Sequence, residues 1–126
     1  IVTERAFLQN HMLKYIYAPN TQTIKAEAFF SCCFLSTFHS NGLQIIEDRA
    51  FYNCSALTTI DLSKATEIGQ GSFGECVSLT HLNLTSLQNR IKGYCFEHCT
   101  GLMQIVVKNT QKWDSDAFIL CQRVKI

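Results

Sequence analysis

A small residue followed by Phe recurs along the whole chain: Ala6-Phe7, Ala28-Phe29, Ala50-Phe51, Ser72-Phe73, Cys95-Phe96 and Ala117-Phe118. The Phe residues stand 22, 22, 22, 23 and 22 positions apart, and four other ladders keep step with them. Three residues after each Phe comes Asn10, Cys32, Cys54, Cys76, Cys99 or Cys121; six after it comes Leu13, Leu35, Leu57, Leu79, Leu102 or Val124. Nine after it comes Ile16, Phe38, Ile60, Leu82 or Ile105, and five before it comes Val2, Ile24, Ile46, Ile68, Ile91 or Trp113. Ladders in phase over this length define a repeat array, and a unit this short buries its apolar side chains only by stacking on its neighbours. The single 23-residue step places a one-residue insertion between Leu84 and Phe96, in the turn around Gln88-Asn89-Arg90.

The segment from Ala50 to Ile68 predicts the local structure of one unit. Ala50, Phe51, Cys54 and Leu57 have the spacing of one face of a short helical turn. Ile60 and Leu62 alternate with Thr59 and Asp61, the period of a strand with one face in and one out. A turn through Ser63-Lys64-Ala65 follows, and Ile68 returns to the core. Stacked units bury Phe on Phe and Cys on Cys, and their strands pair about 4.8 Å apart in a parallel sheet. The segment from Ile68 through Ser72-Phe73, Cys76 and Leu79-Thr80-His81-Leu82-Asn83-Leu84 resembles the BspA-like leucine-rich repeat. The usual asparagine ladder is replaced by Thr21, Leu43, Ala65, Leu87 and Thr110, as in that subtype. Residues and resemblance together give an α/β solenoid. It is a right-handed leucine-rich-repeat coil with a parallel sheet on its concave face and short helical turns opposite. Residues 1–126 form one array of about five and a half repeats, read as part of a longer array because the ladders open and close in mid-repeat without polar caps. The resemblance implies a binding module, commonly part of a surface adhesin, and no catalysis.

Several motifs weigh toward the core rather than toward chemistry. Gly69-Gln70-Gly71-Ser72-Phe73-Gly74 has the G-x-G-x-x-G spacing of a phosphate-cradling loop, but the strand-loop-helix context that the chemistry needs is missing and Phe73 belongs to the ladder. Five of the seven cysteines occupy one repeated position. An in-register stack sets their Cβ atoms about 4.8 Å apart on parallel vectors, unsuited to disulfides, so they read as buried thiols behaving as small hydrophobes. Cys33 and Cys95 lie off that ladder, and Cys95, His98 and Cys99 offer three ligands where a structural zinc takes four. No metal and no cofactor is expected.

The outward strand positions are the candidate binding surface. One column reads Tyr15, Thr37, Thr59, His81, Gln104; the next reads Tyr17, His39, Asp61, Asn83, Val106. Tyr15 and Tyr17 suit an interface anchor. His39 and Asp61 are lateral neighbours whose pairing would raise the His pKa, and His81 beside them makes a conceivable cation site, outweighed by a plain solvated face. No activated nucleophile accompanies them. Asn53-Cys54-Ser55 and Asn83-Leu84-Thr85 are glycosylation sequons that matter only in a secreted chain.

Net charge is +1, from 11 basic and 10 acidic residues, too balanced to steer the chain to nucleic acid or to an anionic membrane. No apolar run is long enough to insert in a bilayer, and no signal peptide is evident. The expected function is a non-enzymatic protein–protein interaction module, for ligand binding or adhesion, in a cell-surface or secreted protein, its partner a host or matrix protein. The alternative is a cytoplasmic scaffold component contacting neighbouring subunits of an assembly.

Overall fold

Seven short strands carry the repeats, and every pairing is parallel between equivalent positions. The computed structural model describes residues 1–126. The strands are β1 (Tyr15–Tyr17), β2 (Thr23–Ile24), β3 (Thr37–His39), β4 (Ile45–Ile46), β5 (Glu67–Ile68), β6 (His81–Asn83) and β7 (Gln104–Val106). They form two rows. One row pairs β1 with β3 and β6 with β7; the other runs β2-β4-β5. Single bridges extend the rows at Val2–Ile24, Thr37–Thr59, Ile91–Trp113 and Gln104–Lys125.

The third wall corrects the expectation of helical turns: no residue is helical, and the segments around each Phe are runs of β-turns. Residues two before and two after the Phe have positive φ, as at Glu27 (53°) and Ser31 (56°), or Arg49 (53°) and Asn53 (57°). This alternation aims every second N–H along the stack. Glu27, Phe29 and Ser31 donate to the carbonyls of Asp48, Ala50 and Tyr52 in the next repeat, at 3.1, 2.8 and 2.8 Å. The residues between them close turns on Lys25, Glu27 and Phe29. A helix would spend all these donors inside its own repeat, leaving the neighbouring repeat unbonded on this side.

Inside the walls, one cluster of 29 buried residues contains the apolar ladder positions of the central repeats, and Val2, Phe7, Leu13, Ile16, Phe118, Cys121 and Val124 of the end repeats pack against it partly buried. Phe7, Phe29, Phe51, Phe73, Phe96 and Phe118 form a continuous column, with neighbouring ring centroids 5.1 to 5.7 Å apart and planes within 9°. Phe38 meets Phe29 and Phe51 edge-on. The ladder cysteines point inward and no cysteine is disulfide-bonded, but those of the ladder are more than small hydrophobes. Cys32, Cys54, Cys76, Cys99 and Cys121 each donate S–H to the carbonyl of the Phe one repeat back, Phe7, Phe29, Phe51, Phe73 and Phe96, at 2.8 to 3.1 Å. Each weak bond ties two repeats inside the core.

The insertion falls at Asn89. Its carboxamide donates to Ile68 O at 3.2 Å and accepts from Ile68 N–H at 3.5 Å. The side chain thus stands in for the backbone of the missing strand beside β5. The other row opens between the same two repeats: Thr59 forms a single bridge instead of the expected strand, and no backbone hydrogen bond joins it to His81. Two hydroxyls cross this seam, Ser78 Oγ to Ser55 O and Ser86 Oγ to Ser63 O, both at 2.6 Å.

Two outcomes follow from the core. Phe51→Ala, at the centre of the column, costs about 3–5 kcal/mol by urea unfolding. Burial pushes the Cys54, Cys76 and Cys95 thiols up, Cys95 to about 12, whereas unfolded thiols ionise near the ordinary value of 9.0. Their contribution is complete below pH 9 and is lost as pH rises above it, by about 1.4 kcal/mol per thiol per pH unit. Urea unfolding followed between pH 8 and 10 checks this, and a flat profile contradicts it.

Candidate functional site

The strand face is built by inward residues that hold outward ones in register. Ile16, Phe38, Leu82 and Ile105 face the core, so the residues flanking each of them project outward. Tyr15 stands beside Thr37 and Tyr17 beside His39; Thr37 is bridged to Thr59. Across the seam His81 stands beside Gln104 and Asn83 beside Val106. The two expected columns are therefore present, but each is divided in the middle.

Tyr15 and Tyr17 are 72% and 79% exposed. The rings of Tyr17 and His39 stack at 5.1 Å with planes 11° apart. The expected pairing of His39 with Asp61 is not formed: no hydrogen bond or ion pair joins them. Asp61 turns instead to its own chain, accepting from Ser63 N–H at 2.9 Å and from Ser63 Oγ–H at 2.6 Å. Those bonds, hydroxyl first and then backbone, hold its carboxyl below the usual carboxylate range. Asn83 repeats the device with Thr85 N–H at 3.0 Å and Thr85 Oγ–H at 2.8 Å. A short polar side chain that captures the N–H two residues on is a local turn former, and such a partner outcompetes one in the next repeat.

No group of three or more His, Cys, Asp or Glu is placed to hold a metal ion. Asp61 is committed to Ser63, and His81 lies beyond the seam. Cys95 lies buried with its thiol 3.4 Å from Ser72 Oγ, Cys99 bonds inward, and His98 Nδ1 lies 3.0 Å from Glu75 Oε2. The glycine motif offers no phosphate cradle either. Gly69, Gly71 and Phe73 donate their N–H groups to Ile46, Gly93 and Cys95, and Gly74 donates to Gly71. Of the sequon asparagines, Asn83 is exposed on the face, whereas Asn53 is half-buried and donates to Ser31 Oγ at 3.2 Å. Ser63 and Thr85, which orient the face, stood in the sequence only as a turn residue and as part of a sequon. Their signal is the Asp/Asn-x-Ser/Thr triplet at the strand end.

The array of in-register strands, the turn walls and the Phe column describe one repeated unit, and the BspA type leucine rich repeat region matches residues 1–125 in six copies. The chain belongs to the BspA-type leucine-rich repeat family. Among curated proteins and solved structures nothing matches. The BspA-type repeat is a solenoid unit serving protein interaction, and repeats of this kind are in general non-enzymatic. No helix is long and apolar enough to cross a membrane.

If the Asp61 turn shapes the face, Asp61→Asn keeps the stability, since Asn83 already does the same work. Asp61→Ala loses about 1 kcal/mol by urea unfolding. Equal losses in both variants would show that charge, and not the turn, is what matters there.

Proposed function

We propose that the chain is a non-enzymatic recognition module of a cell-surface or secreted leucine-rich-repeat protein, binding a host or matrix protein. The binding surface is the strand face, as the concave side of a right-handed coil. The observation that carries this is the exposed aromatic strip of Tyr15, Tyr17 and His39, held in register on paired strands. Large rigid rings with polar tips are the residues that supply most of the energy in protein interfaces. Apart from Val106, the rest of the face is polar, with Asp61 its one carboxylate, which suits the rim of such an interface.

A second reading, a scaffold component inside the cell, is favoured by the thiols. The S–H donors that tie one repeat to the next work only while reduced, and reducing compartments keep them so. Thiol counting on native material separates the two settings: glycans at Asn53 or Asn83 indicate the exterior, and seven free thiols without glycans the interior.

A photo-crosslinking residue at Thr37, in the strip, is expected to form an adduct with a partner polypeptide in native surroundings, and one at Lys64, in the turn beyond the face, is not. Replacing Tyr15, Tyr17 and His39 together by Ala abolishes the adduct and leaves the melting curve unchanged. Equal adducts from both positions, or an adduct that survives the triple substitution, would overturn the assignment of this face.

A further inference from the structure

The wall of turns holds a feature that shares no residue with the strand face. Two residues before each Phe the sequence reads Arg5, Glu27, Arg49, Gly71, Tyr94, Asp116; one residue after, it reads Leu8, Phe30, Tyr52, Gly74, Glu97, Ile119. The Phe73 repeat lacks a side chain in both columns. The gap at Gly74 is filled by Tyr52, and the gap at Gly71 opens a depression of about 430 Å³ on the outside of the wall.

Its walls are organised. Tyr52 leans across Gly74, where a Cβ would stand 2.6 Å from the Tyr52 ring. Its hydroxyl donates to Glu97 Oε1 at 2.8 Å, two repeats further along, and Phe30 stacks on the ring at 5.3 Å with planes 11° apart. The ring is thus fixed by a glycine beneath it, an aromatic beside it and a hydrogen bond at its tip. Burial and Glu97 push the hydroxyl up to about 12, so it stays a donor. Gly71, at φ 62°, forms the floor, with the Arg49 stem alongside. Tyr94, 41% exposed, stands among the lining residues.

The polar groups restrict what this depression suits. Arg49 has no ion-pair partner, and Glu97 keeps one carboxylate oxygen free of Tyr52. One cation and one anion line the space, so a ligand of either charge meets repulsion as well as attraction. A wholly apolar ligand would strip water from Arg49, Glu97 and the Gln70 amide without replacing its hydrogen bonds, an uncompensated loss. A saturated ring with C–H faces and hydroxyls around its edge satisfies both demands. Its C–H surface packs against the exposed parts of Tyr52 and Tyr94, and its hydroxyls, each donor and acceptor, meet Arg49, Gln70 and Glu97. The space is in the size range of small-molecule sites. We propose that this depression binds a neutral pyranose unit of a glycan.

The test uses the full chain labelled with nitrogen-15, titrated with methyl glycosides of glucose, galactose and mannose, and separately with N-acetylneuraminic acid and phenyl phosphate. Amide shifts of Gly71 and Gly74 report the site, with Gly42, in open surroundings, as reference. At least one neutral glycoside is expected to shift Gly71 and Gly74 saturably, with a Kd of about 1–10 mM, as suits a single small ring. Tyr94→Ala weakens this about tenfold, the loss of one aromatic contact. Gly71→Arg, which places there the side chain that Arg49 carries at the same positive φ, abolishes it at the cost of a few degrees in melting temperature, because left-handed backbone strains any side chain. If Gly71→Arg does not fold, Tyr94→Ala decides alone. The proposal is overturned by the absence of shifts with all three neutral glycosides, by shifts with the two acids alone, or by titrations that Tyr94→Ala leaves unchanged.

Discussion

Backbone donors beside each Phe have two possible destinations, the same repeat or the next one, and the positive φ values on either side of the Phe select the next. Once Phe29 N–H reaches Ala50 O and Ser31 N–H reaches Tyr52 O, adjacent repeats are locked in register with no freedom to slide. Stacked rings little more than 5 Å apart follow from that lock, as does the reach of each Cys S–H to the Phe carbonyl of the repeat before. Left-handed backbone at residues such as Glu27, Arg49 and Tyr94 carries a conformational cost, offset by bonds that recur at every step of the stack.

The repeat, its core positions and the direction in which the strand residues face were legible because they depend on spacing alone. Phe51, Cys54, Leu57 and Ile60 recur at fixed intervals, and burial follows from recurrence. The turn wall was not legible. Its left-handed positions are occupied by Arg, Gln, Glu, Ser, Tyr, His and Leu as well as by Gly71 and Asn53, which favour that conformation, so a spacing of one, three and three reads as a helix. The insertion could be located near Asn89 from the 23-residue step, but spacing says where a residue is added and not what its side chain bonds.

The strand face fared the same way. Which residues stand side by side followed from the register, and Tyr17 beside His39 is where the ladder puts them. What each does with its neighbour did not follow. Asp61 had a hydroxyl and an N–H two residues away, and a local partner costs less ordering than one in the next repeat. The glycine triplet shows the converse: a motif with a familiar chemical meaning took its meaning here from the absent side chains, which let Tyr52 lie flat across the wall.

The seam between the Phe51 and Phe73 repeats has a mechanical consequence. Elsewhere along the middle of the stack neighbouring repeats share strand rows and a turn wall. Here the strand face is open and the other row keeps one backbone bond, Gln88 N–H to Thr66 O at 2.9 Å; the rest of the joint is the turn wall, the Phe column, two serine hydroxyls and the Asn89 amide. In a linear stack each repeat passes force only to its neighbours, so stiffness is set by the softest joint. Bending or pulling load therefore concentrates at this joint, with two stiffer blocks on either side. Tyr52 bridges it from the outside, gripping Glu97 beyond the Phe73 repeat like a brace across a hinge.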